Sequence, residues 1–287
     1  MVRRCSRHKN PLMSDNSQTK RVGASYLASS WFFFLLVILI SIPFYVLGAV
    51  GGRLPIATFL PLNAIMAFVP MLAALILVYW GSGFSGAMTF LSRGLDYRRI
   101  RGVGWIIAAL LLMPIVFLLE YGVLRLAGRA LPDVQFFSIA KIVAFALMFF
   151  IGAIGEELGW QGYAFARLAD QMSALRAALI LGAIWALWHV IPFAQMGRSG
   201  AWIVWQGLSM VALRIVIVWL FVNTGQSVFI AVLFHTTTNM AWGLFPNYGS
   251  YYDPFVMFSV VALMAAIVVV TWGPSTLVRF RFTRTRA

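Results

Sequence analysis

Two adjacent glutamates, Glu156 and Glu157, close an apolar run, Val143 to Ile154, that otherwise reads as membrane-spanning. A carboxylate in hydrocarbon costs at least a few kcal/mol, so such a pair persists only beside a polar cavity, a partner group or a proton. Two of the three histidines, His189 and His235, also fall inside apolar stretches, and Asn239 follows His235 by four positions. That spacing puts the imidazole and the amide on one helical face, as a polar lining would require. A carboxylate and an imidazole around one water can remove its proton and make it a nucleophile. A second imidazole and an amide can stabilise the oxyanion formed when that water attacks a carbonyl. Glu156, His189 and His235 would equally suit Zn2+, which accepts carboxylate and imidazole ligands and keeps one position open. Residue types alone leave both chemistries standing. The histidines lack the HExxH spacing of soluble zinc proteases.

Helices must position these groups. Neighbouring residues on a helix point about 100° apart, so Glu156 and Glu157 cannot face the same way. One can line a cavity while the other binds a neighbouring helix. Around them Gly152, Gly155, Gly159 and Gly162 recur at three- and four-residue steps, a stripe along which another helix can approach closely.

The composition makes those helices transmembrane. Of 287 residues, 62% are hydrophobic and 10% charged, with a mean hydropathy of +0.88, which defines an integral membrane protein. With roughly 20 apolar residues needed per crossing, about eight spans emerge, and the expected fold is an all-α polytopic transmembrane bundle. The spans are Trp31–Val50, Leu60–Trp80, Val103–Leu126, Ile139–Leu168, Ala174–Phe193, Ala201–Asn223, Val228–Leu244 and Phe255–Trp272. The fourth is overlong and reads as a crossing that runs into an interfacial amphipathic piece. One membrane domain, residues 31–273, lies between basic tails at 1–30 and 274–287. The first apolar run is too long for a signal-peptide core and reads as an uncleaved span.

The net charge of +14 does not point to nucleic acid, because the basic residues lie in short clusters between spans. With the N-terminus inside, sixteen of them fall on inner segments: six in the N-terminal tail, Arg93, Arg98, Arg99 and Arg101, then Arg167 and Arg176, and the four from Arg279 to Arg286. Arg53, Arg125, Arg129, Lys141 and Arg198 fall outside, and Arg214 lies within a span. This asymmetry predicts a multi-pass protein with both termini cytoplasmic, and the membrane expected is the plasma membrane. Cys5, the single cysteine, cannot form an internal disulfide. Counted from the inner ends of their spans, Glu156, His189 and His235 lie roughly 18, 22 and 11 Å deep at 1.5 Å per residue. Those depths predict one shared site that opens toward the cytoplasm.

Three motifs in order resemble the CAAX-processing and bacteriocin-processing (CPBP, or Abi) intramembrane proteases. They are Glu156-Glu157-Leu158-Gly159-Trp160-Gln161-Gly162, Trp185-xxx-His189 and His235-xxx-Asn239, within Gly155 to Met240. The resemblance implies a membrane endopeptidase acting on a membrane-embedded or lipidated, prenyl-type substrate in the bilayer. In it Glu156 and His189 activate water, His235 and Asn239 form the oxyanion pocket, and Glu157 supports them. The family is described both as metallo and as metal-free, so Zn2+ on Glu156, His189 and His235 stays open. A non-catalytic bacteriocin-immunity or scaffold protein of the same family is the alternative. Two departures stand out. Trp185 replaces the usual Phe, which keeps an aromatic packing role, and Gln161 replaces an Arg whose fixed charge could pair with a glutamate or a substrate carboxylate.

Other expectations concern structure. Glu120 and Arg214 are candidates for a buried ion pair. Trp31, Trp80, Trp105, Trp202 and Trp272 fall near span ends as interfacial anchors, and Phe245 to Pro254 reads as an outer loop.

Overall fold

Serine and aspartate caps set the starts of four helices in the computed structural model, which describes residues 16–51, 53–54, 57–249 and 251–278. Ser138, Ser173 and Ser199 accept the backbone N–H of Lys141, Arg176 and Trp202, opening α4 (Ile139–Glu157), α6 (Ala174–Gln195) and α7 (Gly200–Asn223). Asp253 caps α9 (Pro254–Trp272), with Pro254 at the first helical position, where its missing N–H costs nothing. The remaining long helices are α1 (Asn16–Val50), α2 (Val69–Ser92), α3 (Val103–Leu126) and α8 (Val228–Leu244). A short α5 (Ala166–Ala169) precedes α6, and a two-stranded antiparallel ribbon, β1 (Arg53–Leu54) with β2 (Ala57–Pro61), follows α1. Among the described residues seven helical stretches are long and apolar enough to cross a membrane, and α8 is a shorter eighth. The protein is a polytopic helix bundle.

Three boundaries differ from those expected. α1 begins at Asn16, so part of the predicted basic tail is helical. The second crossing starts with a 3-10 turn, Leu62–Phe68, and continues past Trp80 to Ser92. Gly83 alone takes a left-handed φ of 63°, which bends that helix without ending it. The overlong fourth span contains no amphipathic tail. It passes from α4 into a π-helical segment, Leu158–Phe165, in which every residue is buried.

α7 is the central helix, with its run from Ala212 to Val218 buried throughout. It packs along α6 on one side and α9 on the other, while α4 and α3 pack along α8. Gly155 and Gly159 let the fourth span meet the start of α2. A Cβ at Gly159 would lie 2.4 Å from the Pro70 carbonyl, and one at Gly155 would lie 2.7 Å from the Ala67 oxygen. Gly152 has nothing nearer than 3.9 Å, so the stripe is used unevenly.

Each end of the bundle is tied by its own contacts. At the end bearing most of the arginines, Ser227 Oγ donates to Asp96 (2.7 Å), Ala174 N–H to the Ser275 carbonyl (2.8 Å), and Asn223 to the Leu277 carbonyl (2.7 Å). At the other end, Gln135 N–H donates to the Pro246 carbonyl (3.0 Å) and Lys141 meets the Tyr248 hydroxyl. There too the Asp253 N–H donates to Glu120 (2.7 Å). Glu120 therefore does not pair with Arg214, because its carboxylate is engaged at a helix cap near the end of α3. The terminal arginines and Cys5 lie outside the described residues.

Candidate active site

Glu156 and Glu157 sit at the C-terminal turn of α4, where the change to π-helical winding begins. Such segments interrupt the regular hydrogen-bond ladder and occur often at functional sites. The two carboxylates diverge, as adjacent helical positions must. Glu156 lines a cavity of about 300 Å³ together with His189, His235 and Asn239. Glu157 lies behind that wall with no exposure at all.

The wall is held by Trp185 and His189, one turn apart on α6. Trp185 donates its indole N–H to Glu156 Oε2 (2.7 Å), and among the described residues the other carboxylate oxygen has no hydrogen-bond partner. His189 places Nδ1 2.9 Å from the Trp185 carbonyl. A ring nitrogen facing a carbonyl oxygen must carry the proton, so Nε2 is left as the acceptor. Edge contacts from Trp185 and Trp188 and a stacked Phe193 fix the His189 ring.

Behind the wall is an ion network. Arg214 on α7, fully buried, donates to Glu157 Oε2 (2.8 Å), and His235 Nδ1 lies 2.9 Å from Glu157 Oε1. Its guanidinium carbon sits 4.2 Å from the centre of the Trp185 ring, a cation–π arrangement worth more without water around it. With both Glu157 oxygens so engaged, the His235 ring is oriented with Nε2 away from Glu157. Gln161, completely buried in the π-helical segment, has no side-chain hydrogen-bond partner among the described residues.

The structure thus brings four of the five predicted site residues to one cavity wall and places Glu157 directly behind His235. Two contributors were not anticipated as such. Trp185 was expected only to pack, yet its N–H engages a candidate catalytic carboxylate, which a Phe cannot do. Arg214 was expected to meet Glu120. Its signal in the sequence was plain, a lone cation in an apolar run, but acids on two helices were available to pair with it.

The predicted opening toward the arginine-rich end is not met. The walls run the other way, through Pro192 and Met196 at the end of α6, Trp202 and Gln206 at the start of α7, Trp242 at the end of α8, and Tyr252 before α9. Depth counted from one end of each helix carried no information about which end the hollow faces. Trp202, expected as an interfacial anchor, also forms part of this wall, with the Arg198 guanidinium over its ring at 4.8 Å. Burial pushes the Tyr252 phenol above its ordinary value, so it stays protonated and donates to Gln206.

The zinc alternative meets a geometric test. Among the described residues no three of His, Cys, Asp and Glu converge as a metal site. The trio Glu156, His189 and His235 does not fit a metal in this arrangement, and the chemistry below is derived from the side chains alone.

The arrangement is a Glu/His constellation lining a cavity within a polytopic helix bundle. Residues 138–241 match the family described as "Type II CAAX prenyl endopeptidase Rce1-like". CAAX prenyl protease 2 of Methanococcus maripaludis is 30% identical over 148 residues, covering 45% of this chain and 54% of the relative. The chain therefore spans about half the length of that curated relative. The matched segment carries all three motifs in order and is similar to these CAAX prenyl proteases.

Proposed function

We propose that this protein is an intramembrane endopeptidase that hydrolyses a peptide bond of a membrane-associated or prenyl-type substrate. The observation that carries the proposal is the convergence of Glu156, His189, His235 and Asn239 on one cavity wall. A water between the free Glu156 oxygen and His189 Nε2 loses a proton to the carboxylate as its oxygen attacks the scissile carbonyl. The oxyanion receives hydrogen bonds from the Asn239 amide and, with the ring doubly protonated, from His235 Nε2–H. The positive ring is then offset by Glu157, which Arg214 holds in place. Collapse breaks the C–N bond, and Glu156 returns its proton to the leaving amine. In this reading Arg214 supplies from α7 the guanidinium that the CPBP pattern places at position 161. The membrane is the plasma membrane, with both termini cytoplasmic on the charge asymmetry.

The test is cleavage of a fluorogenic transmembrane or prenylated peptide by the purified protein. Glu156→Gln keeps an acceptor for Trp185 and should reduce turnover to background without shifting the melting temperature. Wild-type turnover should persist after chelation. Glu156→Gln turning over like wild type would remove the base from the mechanism and leave the non-catalytic immunity or scaffold role. Activity lost to a chelator and restored only by Zn2+ would reinstate a metal mechanism.

A further inference from the structure

Three arginines beside the π-helical segment have no part in the chemistry proposed above. Arg93 and Arg167 donate to the carbonyls of Gly162 (2.9 Å) and Tyr163 (3.3 Å), adjacent residues of that segment. Arg99 belongs to the same group. Its Nε lies 3.4 Å from Asp96, and the charges of Asp96, Arg99 and Arg167 all act on Arg93. The Arg167 guanidinium lies over the Tyr163 ring, 3.5 Å from its centre. A guanidinium held over a ring keeps its N–H donors in its own plane, available to a further acceptor.

The group lacks negative charge. Among the described residues Asp96 is the one carboxylate within ion-pair distance of the three. Its other oxygen already accepts from Ser227 Oγ (2.7 Å) and the Phe229 N–H (3.1 Å). The two backbone carbonyls fix Arg93 and Arg167 without neutralising them. Both side chains are half-buried, and Arg167 Nε is buried with no hydrogen-bond partner among the described residues. Three cations against one anion leave two positive charges packed together and partly out of water, where they repel unless an anion sits among them. A topology signal needs only the charge. Fixed geometry and partial burial are what a binding site needs.

We propose that Arg93, Arg99 and Arg167 form a binding site for the phosphate of an anionic membrane phospholipid. Guanidinium forks match phosphate oxygens in pairs. Arg93 directly follows α2 and Arg167 lies in α5, where the second and fourth crossings end, so the group stands at the level of the headgroups. Met88 and Leu95, both exposed, lie within five residues of Arg93 and offer apolar surface to acyl chains, which favours a lipid over free phosphate. Because Arg93 and Arg167 also hold carbonyls of the π-helical segment, a bound headgroup should stabilise the fold there.

The test uses purified full-length protein, delipidated in neutral detergent and titrated with phosphatidylglycerol, phosphatidylcholine or inorganic phosphate. Melting temperature is followed, and bound lipid is counted by native mass spectrometry. Phosphatidylglycerol should stay bound and raise the melting temperature, and phosphatidylcholine should do neither. At about fivefold in affinity per arginine near a membrane surface, Arg93→Gln combined with Arg167→Gln should weaken phosphatidylglycerol binding at least tenfold. Arg99→Gln, at a side chain 55% exposed, keeps the test open if that double variant does not fold, and should weaken binding about fivefold. Arg176→Gln removes an exposed arginine outside the group and should bind as wild type does. An equal loss in Arg176→Gln, or phosphatidylglycerol held no better than phosphatidylcholine, overturns the site. Stabilisation by inorganic phosphate equal to that by phosphatidylglycerol overturns the lipid as its ligand.

Discussion

The two ends of this bundle are built from the same helices and packed in opposite ways. At the arginine-rich end aromatic rings interlock, with Phe33 on Trp160 (5.8 Å), Phe33 on Tyr163 (5.1 Å) and Phe165 on Phe221 (5.7 Å between centroids). At the other end α6 and α7 stand across a cavity of about 300 Å³ from α4 and α8. Protein interiors rarely leave voids much larger than a water, so a hollow of this size needs a frame that does not collapse into it. The packed end is that frame, and the charged network at its upper edge is the floor of the hollow. The division predicts that substitutions in the packed half act on stability and that substitutions on the wall act on turnover.

Arg214 is where the division is easiest to break. It is fully buried, and removing it leaves Glu157 charged with only His235 beside it. Breaking one half of a buried pair costs about 3–5 kcal/mol. Arg214→Gln should therefore lower the melting temperature strongly and abolish turnover together. Pairing it with Glu157→Gln removes the orphaned charge and should recover most of the stability but not the activity, because His235 loses its anchor. If the double variant is no more stable than Arg214→Gln, the ion pair is not what holds the floor.

The packed half makes a smaller claim. Gly159→Ala drives a methyl into the Pro70 backbone, which cannot rotate away as a side chain can, and overpacking of this kind costs about 1–3 kcal/mol. Gly152→Ala meets only the Ala67 methyl at 3.9 Å and should be neutral or slightly stabilising, since Ala is the better helix former. Equal melting temperatures for the two variants would mean that the close approach of the fourth span to α2 does not carry the frame.

Much of this was legible in the chain. The boundaries of α3 and α8 follow from their apolar runs alone, and those of α6, α7 and α9 fall within two residues of theirs, where Ser173, Ser199 and Asp253 cap the starts. The grouping of Glu156, His189, His235 and Asn239 followed from polar residues stranded in apolar runs. Which end the hollow faces did not, because it depends on how far neighbouring helices stand apart, and helical periodicity carries no such information. Arg214 offers the same lesson. Its charge was visible, but the rotation of α7 against α4 selects Glu157 over Glu120, and no spacing rule spans two helices.

Trp185 offers the finest test, because its N–H and its ring face serve two different roles. The ring lies under Arg214 and edge-on to His189 and His235, while the N–H reaches Glu156 Oε2 at 2.7 Å. Trp185→Phe keeps one aromatic ring for the first set of contacts and deletes the donor together with the five-membered ring that carries it. The His189 link to the backbone carbonyl of residue 185 is unaffected. A hydrogen bond to a charged group contributes about 1.5–3 kcal/mol, part of which water in the cavity can replace at a wall residue. The expected outcome is a fall in kcat on the order of tenfold, with KM and melting temperature close to wild type. A variant as active as wild type would return Trp185 to the packing role its sequence position suggested. A variant that unfolds would show instead that the indole belongs to the frame, and the line between packed end and reactive wall would then run above Trp185.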